Sequence, residues 1–151
     1  MTPLPMLWKR LVKAGETCPR CGSTEQNVVA AARKLEAALR PLGIEPALET
    51  QAIDEAAFRA DPSESNRIWI AGKPLEEWLG GRVGASQCCT VCGDLPCRTM
   101  ELGDRTHEVI PEELIVRAAM MAASGLIGAG PTAANASACG STAGGCRCET
   151  A

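Results

Sequence analysis

The stretch GETCPRCGST, residues 15–24, sets two cysteines, Cys18 and Cys21, two residues apart at the start of a long amphipathic run. A C-x-x-C there admits three readings: a redox dithiol, half of a zinc site, or two reduced structural thiols. Pro19 stands where a first helical residue would, because its missing N–H costs nothing at that position. Downstream, Thr24 to Leu42 spaces Val28, Ala32, Leu35, Leu39 and Leu42 along one face of a helix, and Gly43 provides a stop. Cys18 then falls at the helix N-cap, facing free amides and the positive end of the dipole. Both favour thiolate over thiol, so the spacing makes Cys18 the candidate nucleophile and Cys21 the resolving thiol.

Working outward, Met6 to Val12 (MLWKRLV) is expected to be a strand entering the motif, and Ile44 to Thr50 (IEPALET) a second strand. Strand, helix and strand form a right-handed crossover with parallel strands. Pro46 lacks a ladder donor and assigns the second strand to a sheet edge. A short helix over Asp54 to Ala60, a third strand over Arg67 to Ala71 and a turn at Gly72-Lys73 follow. Pro74 to Leu79 is expected to add one or two helical turns, with Glu76 and Glu77 on a solvated face. Arg98 to Leu102 and Thr106 to Ile110 suit a hairpin about Gly103-Asp104. Pro111, with Glu112 and Glu113 in the first turn, starts a last helix whose apolar face carries Leu114, Ile115, Ala118, Ala119, Met121 and Ala122.

Between the last two groups of elements the pattern dissolves. Residues 80–97 are expected to be a loop insertion, and they hold a second cluster, SQCCTVCGDLPCRT, with Cys88, Cys89, Cys92 and Cys97. Four thiolates suffice for a tetrahedral zinc site. A split site of Cys18, Cys21, Cys89 and Cys92 is the alternative, and closely spaced soft thiolates also suit mercury, cuprous copper or arsenite. A loop of incidental thiols, or of one disulfide, is the bland reading. Residues 126–151 are mostly small, with no large apolar anchor beyond Leu126 and Ile127, and are expected to form a disordered tail. Its Cys139, Cys146 and Cys148 either serve the other thiols from a tether or do nothing. The single histidine, His107, lies in an expected strand and suits a surface or cross-strand role better than a ligand role.

Composition narrows the classes further. A chain of 151 residues has the length for one core, residues 1–125 here, and its net charge of −3 argues against phosphate-rich nucleic acid as a partner. No run of 18 apolar residues marks a membrane span, and the start MTPLPMLWKRLVK lacks the pattern of a signal peptide. A cytoplasmic location is expected. Nine cysteines in a reducing compartment point to redox chemistry or metal binding rather than a disulfide framework. No phosphate loop or hydrolase elbow is present.

The order of strand, C-x-x-C at a helix start, parallel strand and Gly-turned short strand resembles the thioredoxin/glutaredoxin superfamily. More closely, ETCPRCGST, LGIEPALET, SNRIWIAGKPLEEWLG, CCTVCGDLPCRT and HEVIPEELIVRAA resemble a thioredoxin-like bacterial family classed as a domain of unknown function. The resemblance covers about Leu7 to Ala123. It implies an α/β fold with a mixed four-stranded sheet and flanking helices, and a C-x-x-C site. Thioredoxins carry a cis-proline before the third strand, facing the dithiol; here Glu64-Ser65-Asn66-Arg67 holds none. Arg20, between the cysteines, is expected to add charge that favours the Cys18 thiolate.

The expected function is thus thiol–disulfide redox chemistry at Cys18 and Cys21, coupled to thiophilic metal handling. The alternative is zinc or heavy-metal binding at Cys88, Cys89, Cys92 and Cys97 without redox catalysis. The expected partners are a protein or small-molecule thiol or disulfide, or a thiophilic metal ion, with no cofactor required. A third reading is an interaction module whose cysteines are idle.

Overall fold

The computed structural model describes residues 1–88 and 92–128; Cys89 and residues 129–151, with Cys139, Cys146 and Cys148, lie outside the described residues. The chain runs β1 (Thr2–Leu11), α1 (Pro19–Leu39), β2 (Ile44–Ile53), α2 (Glu55–Ala60), β3 (Arg67–Ile70), β4 (Lys73–Pro74), α3 (Leu75–Leu79), β5 (Arg82–Ser86), β6 (Cys97–Leu102), β7 (Arg105–His107) and α4 (Glu112–Gly128). It is an α/β fold with two sheets.

The first sheet has four strands in the order β2-β1-β3-β4. β1 pairs with β2 in parallel and with β3 antiparallel, so the sheet is mixed. β2 lies at the edge, where Pro46 needs no second partner. β1 begins at Thr2 rather than Met6, despite Pro3 and Pro5. Thr2 donates its amide to the β2 side, at Gly43 O, and alternation turns the nitrogens of residues 3 and 5 the other way. The β3 ladder starts only at Met6, so neither proline removes a ladder bond. Leu4, Met6 and Trp8, at the strand period of two, point into the core.

Helix α1 lays Cys21, Thr24, Val28, Ala31, Leu35 and Leu39 inward. Ala31 takes the place expected for Ala32. Leu42 is exposed, contrary to its expected place on the buried face, because residues 40–42 tighten into a 3₁₀ turn that swings it outward. That turn closes at Gly43 with φ 69°, a left-handed conformation that glycine adopts without strain. Helix α4 packs beside α1 through Leu114, Ile115, Ala118, Ala119, Ala122 and Ala123, while Met121, expected in the core, faces outward. Asn27 and Thr24 of α1 bind the backbone of Ile110 at 2.8 and 3.2 Å and fix where α4 begins.

The segment expected to be a loop over residues 80–97 contains β5, which pairs with β6 and, through it, β7 in a second sheet of order β5-β6-β7. A Cβ at Gly84 would lie 2.6 Å from Thr99 Oγ1, so the strand approaches its partner as only glycine permits. The expected hairpin about Gly103 is present, with its second arm shortened to Arg105–His107. Glu76, expected on a solvated face, is instead buried against Arg98 of β6, whose Nη1 also donates to Ser63 O at 2.9 Å. This pair ties the second sheet to the first through α3. Outside these strands, Cys88 and Cys92 lie close to Cys18 at the start of α1.

Candidate functional site

Cys18 sits at the N-cap of α1 with an extended backbone (φ −73°, ψ 159°), as its place before Pro19 requires. Thr17 anchors the approach by donating to Leu11 O at 2.8 Å. The Cys18 thiol is held far below its ordinary range, at about 4: the Cys21 thiol donates to it, and the amides of Cys21 and Arg20 and the Cys88 thiol add to the effect against the cost of burial. Cys21, one turn on, is pushed the other way, first by serving as donor to Cys18 and then by burial. The two cysteines divide into thiolate and thiol, as their positions lead one to expect.

Arg20 acts differently from its sequence expectation. Its guanidinium donates to Gln87 O at 2.9 Å and pairs with Glu108 at 3.2 Å, so what it gives Cys18 is chiefly its backbone amide. Glu108 also accepts from Ser86 at 2.8 Å, and so clips the end of β5 to the start of α1.

The two cysteine clusters, expected as separate sites with a split site drawing on both as the alternative, come together. Cys18 Sγ lies 3.6 Å from Cys88 Sγ, across 70 residues of sequence. Cys18, Cys88 and Cys92 form a set whose sulfurs all lie within 4.8 Å of one another. Burial, then a contact with Cys97, raises the Cys88 and Cys92 thiols above their ordinary range. Cys97 starts β6 and is buried beside them, outside the set of three. Both four-thiolate groupings expected from sequence, Cys88 with Cys89, Cys92 and Cys97, or Cys18 and Cys21 with Cys89 and Cys92, include Cys89, which lies outside the described residues; the described residues bring together a trio that draws one member from α1. Cys18 is only 2 % exposed, with Cys88 against it.

Two residues of the site went unrecognised in the sequence. Ser65 and Asn66 occupy the stretch without proline that faces the dithiol. Ser65 Oγ lies 3.7 Å from Cys21 Sγ and accepts from Leu11 N at 3.3 Å. Asn66, with φ 58°, accepts from Trp8 Nε1 at 3.3 Å and donates to Glu108 O at 3.2 Å. The readable signal was an Asn, which tolerates that backbone, just ahead of a strand. A cavity of about 450 Å³ opens beside Cys92, lined also by Leu11, Lys13, Phe58, Arg59 and Leu95. His107 lies in β7 opposite Met100, away from these thiols.

Residues 4–119 match the protein family described as Domain of unknown function (DUF2703). The chain is 41 % identical over 112 residues to a protein of the archaeon Archaeoglobus fulgidus whose name is given as "Uncharacterized protein", covering 74 % of this chain and 82 % of that one. No solved structure matches the chain. No helix among the described residues is long and apolar enough to cross a membrane.

Proposed function

For a chain that belongs to the family Domain of unknown function (DUF2703), we propose a thioredoxin-like protein that holds a soft, thiophilic metal ion between Cys18, Cys88 and Cys92. The observation that carries this reading is the gathering of those three sulfurs within 4.8 Å of one another. Metal–sulfur bonds of about 2.3 Å put neighbouring sulfurs roughly 3.5–4.0 Å apart, depending on the angle at the ion. The Cys18–Cys88 separation of 3.6 Å already meets that. Soft thiolates select soft ions, and the N-cap supplies the first of them in ionised form. The strand order β2-β1-β3-β4, with β1 and β2 alone in parallel, supports the thioredoxin-like part of the reading. A cytoplasmic setting would keep the thiols reduced and available.

Thiol–disulfide exchange at Cys18 and Cys21 is a second reading, favoured by the opposite displacement of their two thiols. The Cys18 thiolate attacks an external disulfide, forms a mixed disulfide and releases one external thiolate. That act removes the negative sulfur that holds the Cys21 proton. Cys21 then gives its proton to the departing group and closes a Cys18–Cys21 disulfide, and the external disulfide is left as one thiol and one thiolate, which takes a proton from solvent. The burial of Cys18 favours small-molecule partners for this step over protein disulfides.

Cadmium ion added to the reduced full chain tests the first reading. One equivalent is expected to shield Cys18, Cys88 and Cys92 together from iodoacetamide, read by peptide mass mapping, with a thiolate charge-transfer band in the ultraviolet. Cys18→Ser is expected to remove the band. Shielding of a set that omits Cys18 would defeat the reading. Equilibration in a glutathione buffer tests the second: a Cys18–Cys21 disulfide must form and be reversed by added thiol.

A further inference from the structure

We propose that Cys18, Cys88 and Cys92 form a site for a trivalent oxyacid metalloid, arsenous or antimonous acid, held as a neutral tris-thiolate. The inference rests on the soft-metal reading above and narrows it to one class of ligand. Three features of the site point this way.

The first is the number of donors. Among the described residues the mutually close set contains three sulfurs. Cys97 touches Cys88 and Cys92 but lies outside that set, and Cys21, which donates to Cys18 and lies 3.7 Å from Ser65 Oγ, is outside it too. A tetrahedral dication such as zinc asks for four ligands in a closed site, whereas a trivalent metalloid with a lone pair is satisfied by three in a pyramid. Angles of about 100° at a pyramidal centre, narrower than tetrahedral, bring the sulfurs to the short end of the range, near the 3.6 Å between Cys18 and Cys88.

The second is charge. Three thiolates around a monovalent ion leave two negative charges, around a divalent ion one, and around a trivalent centre none. Cys18 and Cys92 are buried, and a buried net charge is costly unless it is paired. Arg20, the cation next to Cys18 in sequence, is already engaged by Glu108 and the Gln87 carbonyl. Neutrality therefore favours the trivalent centre.

The third is how the ligand arrives. Arsenous acid is a small uncharged solute, and the cavity of about 450 Å³ beside Cys92 gives it a path of entry. The reaction is a ligand exchange with no change of oxidation state. Three sulfur–arsenic bonds form and three arsenic–oxygen bonds break. Each hydroxyl leaves as water with one proton, taken from a thiol or, for a thiolate, from solvent.

The test is a competition on the reduced full chain. Arsenous acid, zinc and cadmium are added separately, and all nine cysteines are footprinted by alkylation and mass mapping. One equivalent of arsenous acid is expected to protect Cys18, Cys88 and Cys92. An equal concentration of zinc is not expected to displace it. X-ray absorption at the arsenic edge is expected to give three sulfurs and no oxygen. Cys88→Ser and Cys92→Ser are each expected to weaken binding by at least about a hundredfold, since even outer-shell losses cost 10–100-fold at metal sites. Protection by zinc or cadmium but not by arsenous acid would overturn the metalloid assignment and leave the soft-metal reading standing. Failure of all three to protect the trio would overturn both. Arsenous acid bound at a different set of cysteines would overturn this site. The wild-type footprint decides these cases even where a serine variant fails to fold.

Discussion

Two sulfurs one helical turn apart carry opposite electrostatic burdens. Cys18 receives hydrogen bonds from the Cys21 thiol and from free amides, while Cys21 is a buried donor beside a negative neighbour. The alkylation rate of Cys18 should therefore follow a titration centred near 4, where a free thiol would titrate near 9. In the peptide map Cys21 should stay unmodified across that range. The lowered folded-state value also carries a stability sign. Cys18 contributes stability that is fully present above the unfolded value of 9.0 and is lost as pH falls through about 4. Denaturant midpoints measured across that window should fall with pH in the wild type, and less so in Cys18→Ser. Ser65 gives a second prediction at this scale. Its hydroxyl accepts the Leu11 amide, so Ser65→Ala should leave a buried donor unpaired and cost about 1–3 kcal/mol in urea unfolding. It should also push the Cys21 thiol further up, because the serine is one of the few groups that pull it down.

At the level of elements, the buried Arg98–Glu76 pair joins β6 to α3. Removing one partner strands the other, so Arg98→Ala should cost about 3–5 kcal/mol by chemical denaturation. Replacing both, with Arg98→Met and Glu76→Leu, should restore most of that loss. The same pair explains one limit of the sequence. Pro74 to Leu79 was legible as helical turns, yet nothing local to Glu76 announces that its partner sits 22 residues on in another sheet. β5 was hidden for a related reason: Arg82–Ser86 reads RVGAS, with Val83 its one β-branched residue and with Gly84 there to fit a neighbouring strand. By contrast, β1, α1 and β2 were readable because each stop and start is local: Pro19 at the helix start, Gly43 at its end, Pro46 on an edge. The thiolate at Cys18 was readable from that same helix start. The company it keeps was not, since contact with Cys88 depends on how the second sheet docks.

For the molecule as a whole, one sulfur belongs to two pairings that exclude each other. Cys18 cannot be bonded to Cys21 and also coordinate an ion with Cys88 and Cys92. Protein oxidised to the Cys18–Cys21 disulfide should bind no cadmium at the trio, and reduction should restore one equivalent, followed by the ultraviolet charge-transfer band. The separation of those partners along the chain has a temporal consequence. At a translation speed of about 5–20 residues per second, Cys88 leaves the ribosome roughly 4–14 s after Cys18. Every nascent polypeptide therefore spends seconds with Cys18 not yet covered by Cys88, a window in which a cellular oxidant or electrophile reaches an atom that the finished protein shelters.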